Sequence, residues 1–211
     1  MKILCVAVVV LSLTSVCQPA SLACERLLKT ETRNPDLTGR WRYVALSSEM
    51  CPIRTLMESV FRPAIEINIT SEVTPNVYSV GVKIQIPGMC VNKLNFSTFI
   101  YENNAVRGAT NAPPVILLQS GCPDCIVLQN DAIHSLIILS RRQTVTAAEM
   151  KEFETQAKCL GLPEPQLFMS DHVYENCPTT EDIVQHLETF SSGTEKARSL
   201  NEKIRNCNQQ M

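Results

Sequence analysis

The sequence predicts a mainly β fold: eight strands in an antiparallel sandwich or up-and-down barrel, followed by one helix. Three observations carry that prediction. Short runs of alternating apolar and polar residues recur every 8–14 residues between turn residues, the spacing of small antiparallel sheets. Within each run the period is two, so one face turns to a core and the other to water. Beyond residue 145 the period lengthens to that of a helix, behind a capping motif.

Trp41 to Leu46 forms the first strand, and Pro52 to Val60 a lid-like loop with one helical turn. In Arg62 to Ser71, Ile65, Ile67 and Ile69 alternate with Ala64, Glu66, Asn68 and Thr70. Val77 to Ile86 sets Tyr78, Val80, Val82, Ile84 and Ile86 on one face. Leu94 to Tyr101, Ala105 to Thr110, Val115 to Gln119, Cys125 to Gln129 and Ser135 to Arg141 complete the eight. Turn residues such as Thr74-Pro-Asn, Pro87-Gly and Asn111-Ala-Pro-Pro separate them. Asn68-Ile-Thr and Asn95-Phe-Ser are N-glycosylation acceptors, and a glycosylated asparagine must point outward. Asn68 outward turns Ile65, Ile67 and Ile69 inward. Asn95 outward turns Leu94, Phe96, Thr98 and Ile100 inward.

The helix follows. Thr146-Ala-Ala-Glu149 is a capping box: the threonine hydroxyl meets a free backbone N–H and Glu149 reaches back. Met150, Phe153, Ala157 and Leu160 lie on one stripe, and Gly161 and Pro163 end it. Leu167 to Tyr174 reads as a ninth strand. The barrel domain spans 24–180. The polar tail beyond carries a weak stripe of Ile183, Leu187 and Phe190, with 181–211 set apart as a C-terminal extension.

Met1-Lys2 and the apolar run Ile3 to Leu13 make residues 1–20 a secretory signal peptide, its end between 17 and 23. The run is too short to span a bilayer, and no later segment reaches 18 apolar residues. A secreted protein with no membrane span is expected. The net charge is -2, which offers no footprint for nucleic acid. Of ten cysteines, Cys24, Cys51, Cys90, Cys122, Cys125, Cys159, Cys177 and Cys207 remain beyond the leader, and in a secreted chain they read first as disulfides. Cys122 and Cys125 can occupy the corners of one turn and bridge. Flanking strands, rather than a helix N-terminus, argue against a redox role for that pair. His134, His172 and His186 are scattered and give no zinc site. No Ser/His/Asp spacing, paired carboxylate or phosphate loop stands out, so neither catalysis, cofactor nor metal is expected.

Leu37-Thr-Gly-Arg-Trp41 at the first strand resembles the Gly-x-Trp signature of the lipocalins. In that family the tryptophan closes the barrel base and an arginine from the last strand packs on it. Gly39, Trp41 and Arg141 (or Arg142) stand in those places. The resemblance is finer to the branch holding alpha-1-acid glycoprotein and apolipoprotein M. Residues 146–163, Val173-Tyr-Glu-Asn-Cys177, Gly88-Met-Cys-Val91 and Ser120-Gly-Cys-Pro123 carry it. It implies an eight-stranded antiparallel up-and-down lipocalin barrel with one C-terminal helix packed outside. It also implies the bridges Cys24–Cys159 and Cys90–Cys177. The stretch from Trp41 to Pro52 is similar to lipocalins whose cysteine in this first loop is unpaired and reactive, or bonds a partner protein. Cys51 is thus a candidate free thiol; the alternative is an ordinary bridge to Cys207 or another cysteine.

The expected function is binding and transport of a small hydrophobic or amphiphilic ligand in the cavity. Its lining by parity is Tyr43, Ile65, Ile67, Ile69, Tyr78, Val80, Val82, Ile84, Leu94, Phe96, Thr98 and Ile100. That list holds no charge, so an ionic head fits only at the mouth. A closed, packed core shows the same alternation. Arg107 reads as a surface residue or as the partner of an anionic head. Two rival readings use a thiol: a partner module tethered by a disulfide through Cys51 or Cys207, and an enzyme with Cys51 as nucleophile.

Overall fold

The computed structural model describes residues 19–59, 62–86, 89–108, 111–169 and 202–207. Helix α1 is Pro19–Leu27, followed by strand β1, Gly39–Ser48, and helix α2, Cys51–Glu58. The strands then run β2 Ala64–Ser71, β3 Val77–Ile86, β4 Met89–Glu102, β5 Ala105–Gly108, β6 Val115–Leu118, β7 Cys125–Asn130 and β8 Ser135–Ser140. Helix α3, Ala147–Cys159, and the two-residue strand β9, Gln166–Leu167, complete the main body. Residues 202–207 are helical. The leader to residue 18, the rest of the ninth strand from 170, Cys177, His172, His186 and the stripe of Ile183, Leu187 and Phe190 lie outside the described residues.

Strands β2 to β8 pair in sequence order, all antiparallel, and β1 pairs with both β8 and β2 to close the barrel. Each element follows from its residues. The β-branched runs Ile65-Glu-Ile-Asn-Ile and Val77 to Ile86 suit a pleated surface with one buried face. Positive φ at Asn76, Asn103 and Asn104 turns the chain between strands, where asparagine tolerates a left-handed backbone.

Register sets the faces. Ile67 pairs with Val82 and Ile69 with Val80, which keeps odd residues of β2 and even residues of β3 on one side. Ile86 pairs with Met89, so two residues separate β3 from β4. Parity therefore reverses, and the odd residues of β4 share the face of Tyr78 and Val80. The inward placing of Phe96, Thr98 and Ile100 is corrected accordingly. Phe99 faces Tyr78 across the ladder and Tyr101 is buried at 5%, whereas Phe96 and Ile100 are 56% and 41% exposed. Thr98 is exposed as well. Lys93 holds its ammonium 5.3 Å from the Phe96 ring centroid. The side chains of Leu94 and Asn95 lie outside the described residues. Asn68 is exposed.

One irregularity divides β1. Its register on β8 shifts between Tyr43 and Ala45, a bulge at Val44 that puts two residues opposite one. Before the bulge Trp41 and Tyr43 point into the barrel; after it Leu46 does, and Ala45 turns outward. Outside, Ala45, Leu118, Val127, Leu136 and Ile138 receive Phe153 and Ala157 from α3. Gln156, fully buried, donates from Nε2 to the carbonyls of Leu27 and Gln119, each at 2.8 Å. It thereby holds α1, α3 and the end of β6 together.

The start of α3 is capped reciprocally. Glu149 N–H donates to Thr146 Oγ1 at 3.3 Å, and Thr146 N–H donates to Glu149 Oε2 at 2.7 Å. Arg142 adds a hydrogen bond from Nη2 to Glu149 Oε1 at 2.7 Å. The Thr146 N–H and the Arg142 guanidinium hold the Glu149 carboxyl below its ordinary value of 4.5. A lowered folded value stabilises the fold above the unfolded value, and the gain is lost as pH falls through the folded value. Thermal midpoints measured from neutral pH into acid are expected to fall less steeply in Glu149→Gln than in the parent below pH 4.5. Parallel curves would show that this carboxylate carries no acid sensitivity.

Cys24 and Cys159 are bridged, with Cα atoms 5.4 Å apart, and fasten α1 to α3. Cys122 and Cys125 bridge across their turn, Cα atoms 5.2 Å apart. Cys90 is in a disulfide as well. The reading of Cys51 as a free thiol is overturned: Cys51 is bridged to Cys207, with Cα atoms 5.7 Å apart. The helical segment 202–207 returns to the first turn of α2, where Thr55 Oγ1 lies 3.4 Å from Cys207 Sγ. With both sulfurs joined within the chain, neither is left to tether a partner or attack a substrate.

Candidate functional site

The interior of the barrel has a buried floor and, above it, a set of inward side chains that are only half-buried. Leu37, Trp41, Ile69, Tyr101, Leu117, Ile126 and Leu139 form the floor, all buried. Trp41 is 3% exposed and donates from Nε1 to the Leu37 carbonyl at 2.8 Å, so its polar edge is satisfied as burial requires. From the end of β8, Arg141 lays its guanidinium 4.2 Å from the Trp41 ring centroid and donates from Nη2 to the Asp36 carbonyl at 2.9 Å. The chain reaches this junction through Gly39 at φ +95°, and a Cβ there would stand 2.9 Å from Arg141 Nη1. The positive φ demands glycine, and a side chain there would also push the tip of Arg141 aside. Gly39→Ala is expected to destabilise the fold by about 1–3 kcal/mol, from strain at positive φ plus displacement of Arg141. Urea unfolding checks this, and an unchanged midpoint would show that neither the backbone strain nor the displaced arginine costs stability.

Above the floor, Tyr43, Ile67, Tyr78, Val80, Phe99, Val106, Leu128 and Ile137 pack against it while each keeps accessible surface. Tyr78 and Phe99 stack with centroids 5.2 Å apart. Val82 and Ile84 continue upward on the face of Ile67 and Ile65. At the upper end Leu46, Met57 and Phe168 form a second buried cluster, joined by Ile53, Ile65 and Tyr43. Helix α2 thus sits over one side of the opening, its apolar Ile53 and Met57 turned down and its first residue bonded to Cys207. Burial raises the phenol pKa of Tyr43; burial, helped by Glu31 and Tyr78, raises that of Tyr101. Both stay neutral hydroxyls through the physiological range, able to orient a polar group without bringing charge inside.

Of the residues singled out by sequence, the structure brings together Tyr43, Ile65, Ile67, Ile69, Tyr78 and Val80, with Ile69 in the floor rather than the wall. Arg107 pairs with Ile100 and is exposed, away from the Tyr101–Val106 face. Sequence reasoning missed Phe99, Val106, Leu128 and Ile137. Phe99 meets Tyr78 beyond a register shift between Val80 and Val82, which no residue of the sequence marks. Among the described residues no cluster of histidine, cysteine or carboxylate could hold a metal, and no helix is long and apolar enough to cross a membrane.

No family model matches the chain, and no curated protein matches it. Solved structures do. The siderocalin Ex-FABP superposes with a TM-score of 0.51 at 16% identity, over 64% of this chain and 95% of that one. Lipocalin 12 from rat epididymis superposes with a TM-score of 0.54 at 11% identity, over 71% of this chain and 93% of that one. At such identities the likeness is one of fold. The closed eight-stranded antiparallel barrel, with α3 packed on its outside, is the lipocalin fold.

Proposed function

We propose that this chain is a secreted, non-enzymatic carrier that binds a small hydrophobic or amphiphilic molecule inside the barrel. One observation carries the reading: eight inward-packed apolar and phenolic side chains retain accessible surface above a fully buried floor. A filled core of a barrel this size would bury them. The wall offered to the ligand comprises Tyr43, Ile65, Ile67, Tyr78, Val80, Val82 and Ile84, with Phe99, Val106, Leu128 and Ile137. Affinity would come from apolar ligand area withdrawn from water, at roughly 25 cal/mol per Å², while the tyrosine hydroxyls orient a polar group.

The fold-level likeness supports the same class of function, since the Ex-FABP structure is described as that of a siderocalin with dual ligand specificities. The sequence features of residues 146–163 support placement in the branch of alpha-1-acid glycoprotein and apolipoprotein M. The apolar leader supports secretion, and exposed Asn68 supports glycosylation there; Asn95 stands as the second acceptor by sequence. The bridges across the chain suit an oxidising compartment.

A native mass spectrum of the protein purified gently from a secreting eukaryotic cell tests the reading. Mass beyond chain and glycans, released on unfolding, is the expected outcome. If a broad panel of lipids, retinoids, steroids and basic drugs also fails to bind the bare chain, the carrier reading is lost.

A further inference from the structure

We propose that a second, lateral pocket in the barrel wall binds an uncharged, mainly apolar small molecule independently of the lumen. It lies at the seam of the barrel. Strand β1 pairs with β2 only as far as Arg42 opposite Glu66. Beyond that point β9 takes the place of β2 along β1, with Ala45 opposite Leu167. Phe168 N–H donates to the Val44 carbonyl at 3.0 Å, and Met169 N–H to the Pro63 carbonyl at 3.1 Å. The strap so formed does not fill the space beneath it. A cavity of about 400 Å³ remains between the strap, β1 and the start of α3, bounded by Val44, Ile65, Met150, Leu167, Phe168 and Met169.

Two observations make this a pocket rather than a packing gap. Its volume falls within the range of small-molecule sites. Leu167, on its boundary, is 50% exposed, so apolar surface is held ready at the rim. Tyr43 and Phe168, edge to face with centroids 5.3 Å apart, line it, and Tyr43 and Ile65 form the wall it shares with the lumen. Charge decides the ligand class. Among the described residues the one cation on the cavity wall is Arg42, whose Nε lies 3.5 Å from Oε2 of Glu66, only 4% exposed. The two charges cancel, so neither an anion nor a cation gains an unpaired partner there. Thr144, at the rim, offers a hydroxyl to a single polar end.

Titration of the glycosylated full chain with the uncharged dye Nile red tests the assignment. Two sites per chain are expected. Leu167→Lys puts a charge at the rim, and Ala147→Trp fills the cavity from an exposed first-turn position of α3. Each should weaken one site at least about tenfold and leave the other unchanged. Val80→Trp, within the barrel, should do the reverse. A site insensitive to both lateral variants, with none that responds to them, overturns the pocket. Loss of only the Val80-sensitive site from the parent titration would instead overturn the carrier reading and leave the lateral pocket standing. Preferential binding of anionic anilinonaphthalene sulfonate at the lateral site would overturn the ligand class.

Discussion

Replacing Trp41 with alanine is expected to cost about 3–5 kcal/mol, the range for removing a buried aromatic from a packed core. The side chain is 3% exposed, lies among the floor residues Leu37, Ile69, Tyr101 and Leu139, and carries Arg141 on its outer face. Three losses coincide: apolar area, a cavity that a closed barrel end cannot collapse into, and the stacked cation. For a chain of this length the thermal midpoint should fall by roughly 10 °C or more. Circular dichroism is the readout, because this is the only tryptophan in the sequence. The stacking contribution is separable. Arg141→Ala should cost less in the Trp41→Ala background than alone, by about 0.5–2 kcal/mol. Additive costs would mean that the arginine serves only its hydrogen bond to the Asp36 carbonyl.

Removing the Cys24–Cys159 bridge, with both cysteines changed to alanine, is expected to destabilise the fold by about 2–5 kcal/mol. The bridge closes a loop with a sequence separation of 135, for which chain entropy alone gives close to the upper figure, about 5 kcal/mol. It also fixes α1 on α3, where Gln156 Nε2 donates to the Leu27 carbonyl, a bond made only while α1 is docked. Amide hydrogen exchange should therefore show α1 and the far end of α3 opening first, before the barrel strands. If exchange rises uniformly through the barrel instead, the bridge acts through the unfolded chain and not through docking.

Much of this was legible in the residues, and the exceptions have physical reasons. Strand β3 was readable to its ends because five apolar residues alternate without interruption, and the cap of α3 because Thr146 and Glu149 sit three apart before an apolar stripe. Gly39, Trp41 and Arg141 announced themselves by residue type, since positive φ, a deep aromatic and a stacked cation tolerate few substitutes. The faces of β4 were not read correctly. A glycosylation acceptor was allowed to decide them, whereas they follow from the cross-strand register, including a shift between Val80 and Val82 that no single residue marks. The bulge at Val44 has no sequence mark, because a bulge is chosen by the pairing of two strands and not by one residue's preference. Helix α1 was hidden by its position at the end of an apolar leader. The pairing of Cys51 with Cys207 is a long-range fact that local spacing cannot supply.

Those crossed bridges also decide how the molecule bears load. A pull applied between the two ends enters at Cys24 and leaves at Cys207, and the Cys51–Cys207 link offers it a short cut. The force then travels along the stretch from Cys24 to Cys51, roughly 27 residues or about 90–100 Å when taut. Strands β2 to β8 lie off that route. That stretch contains β1, which closes the barrel against β2 and β8, so a pull on the ends that straightens it opens the barrel at β1 before any of the other strands is loaded.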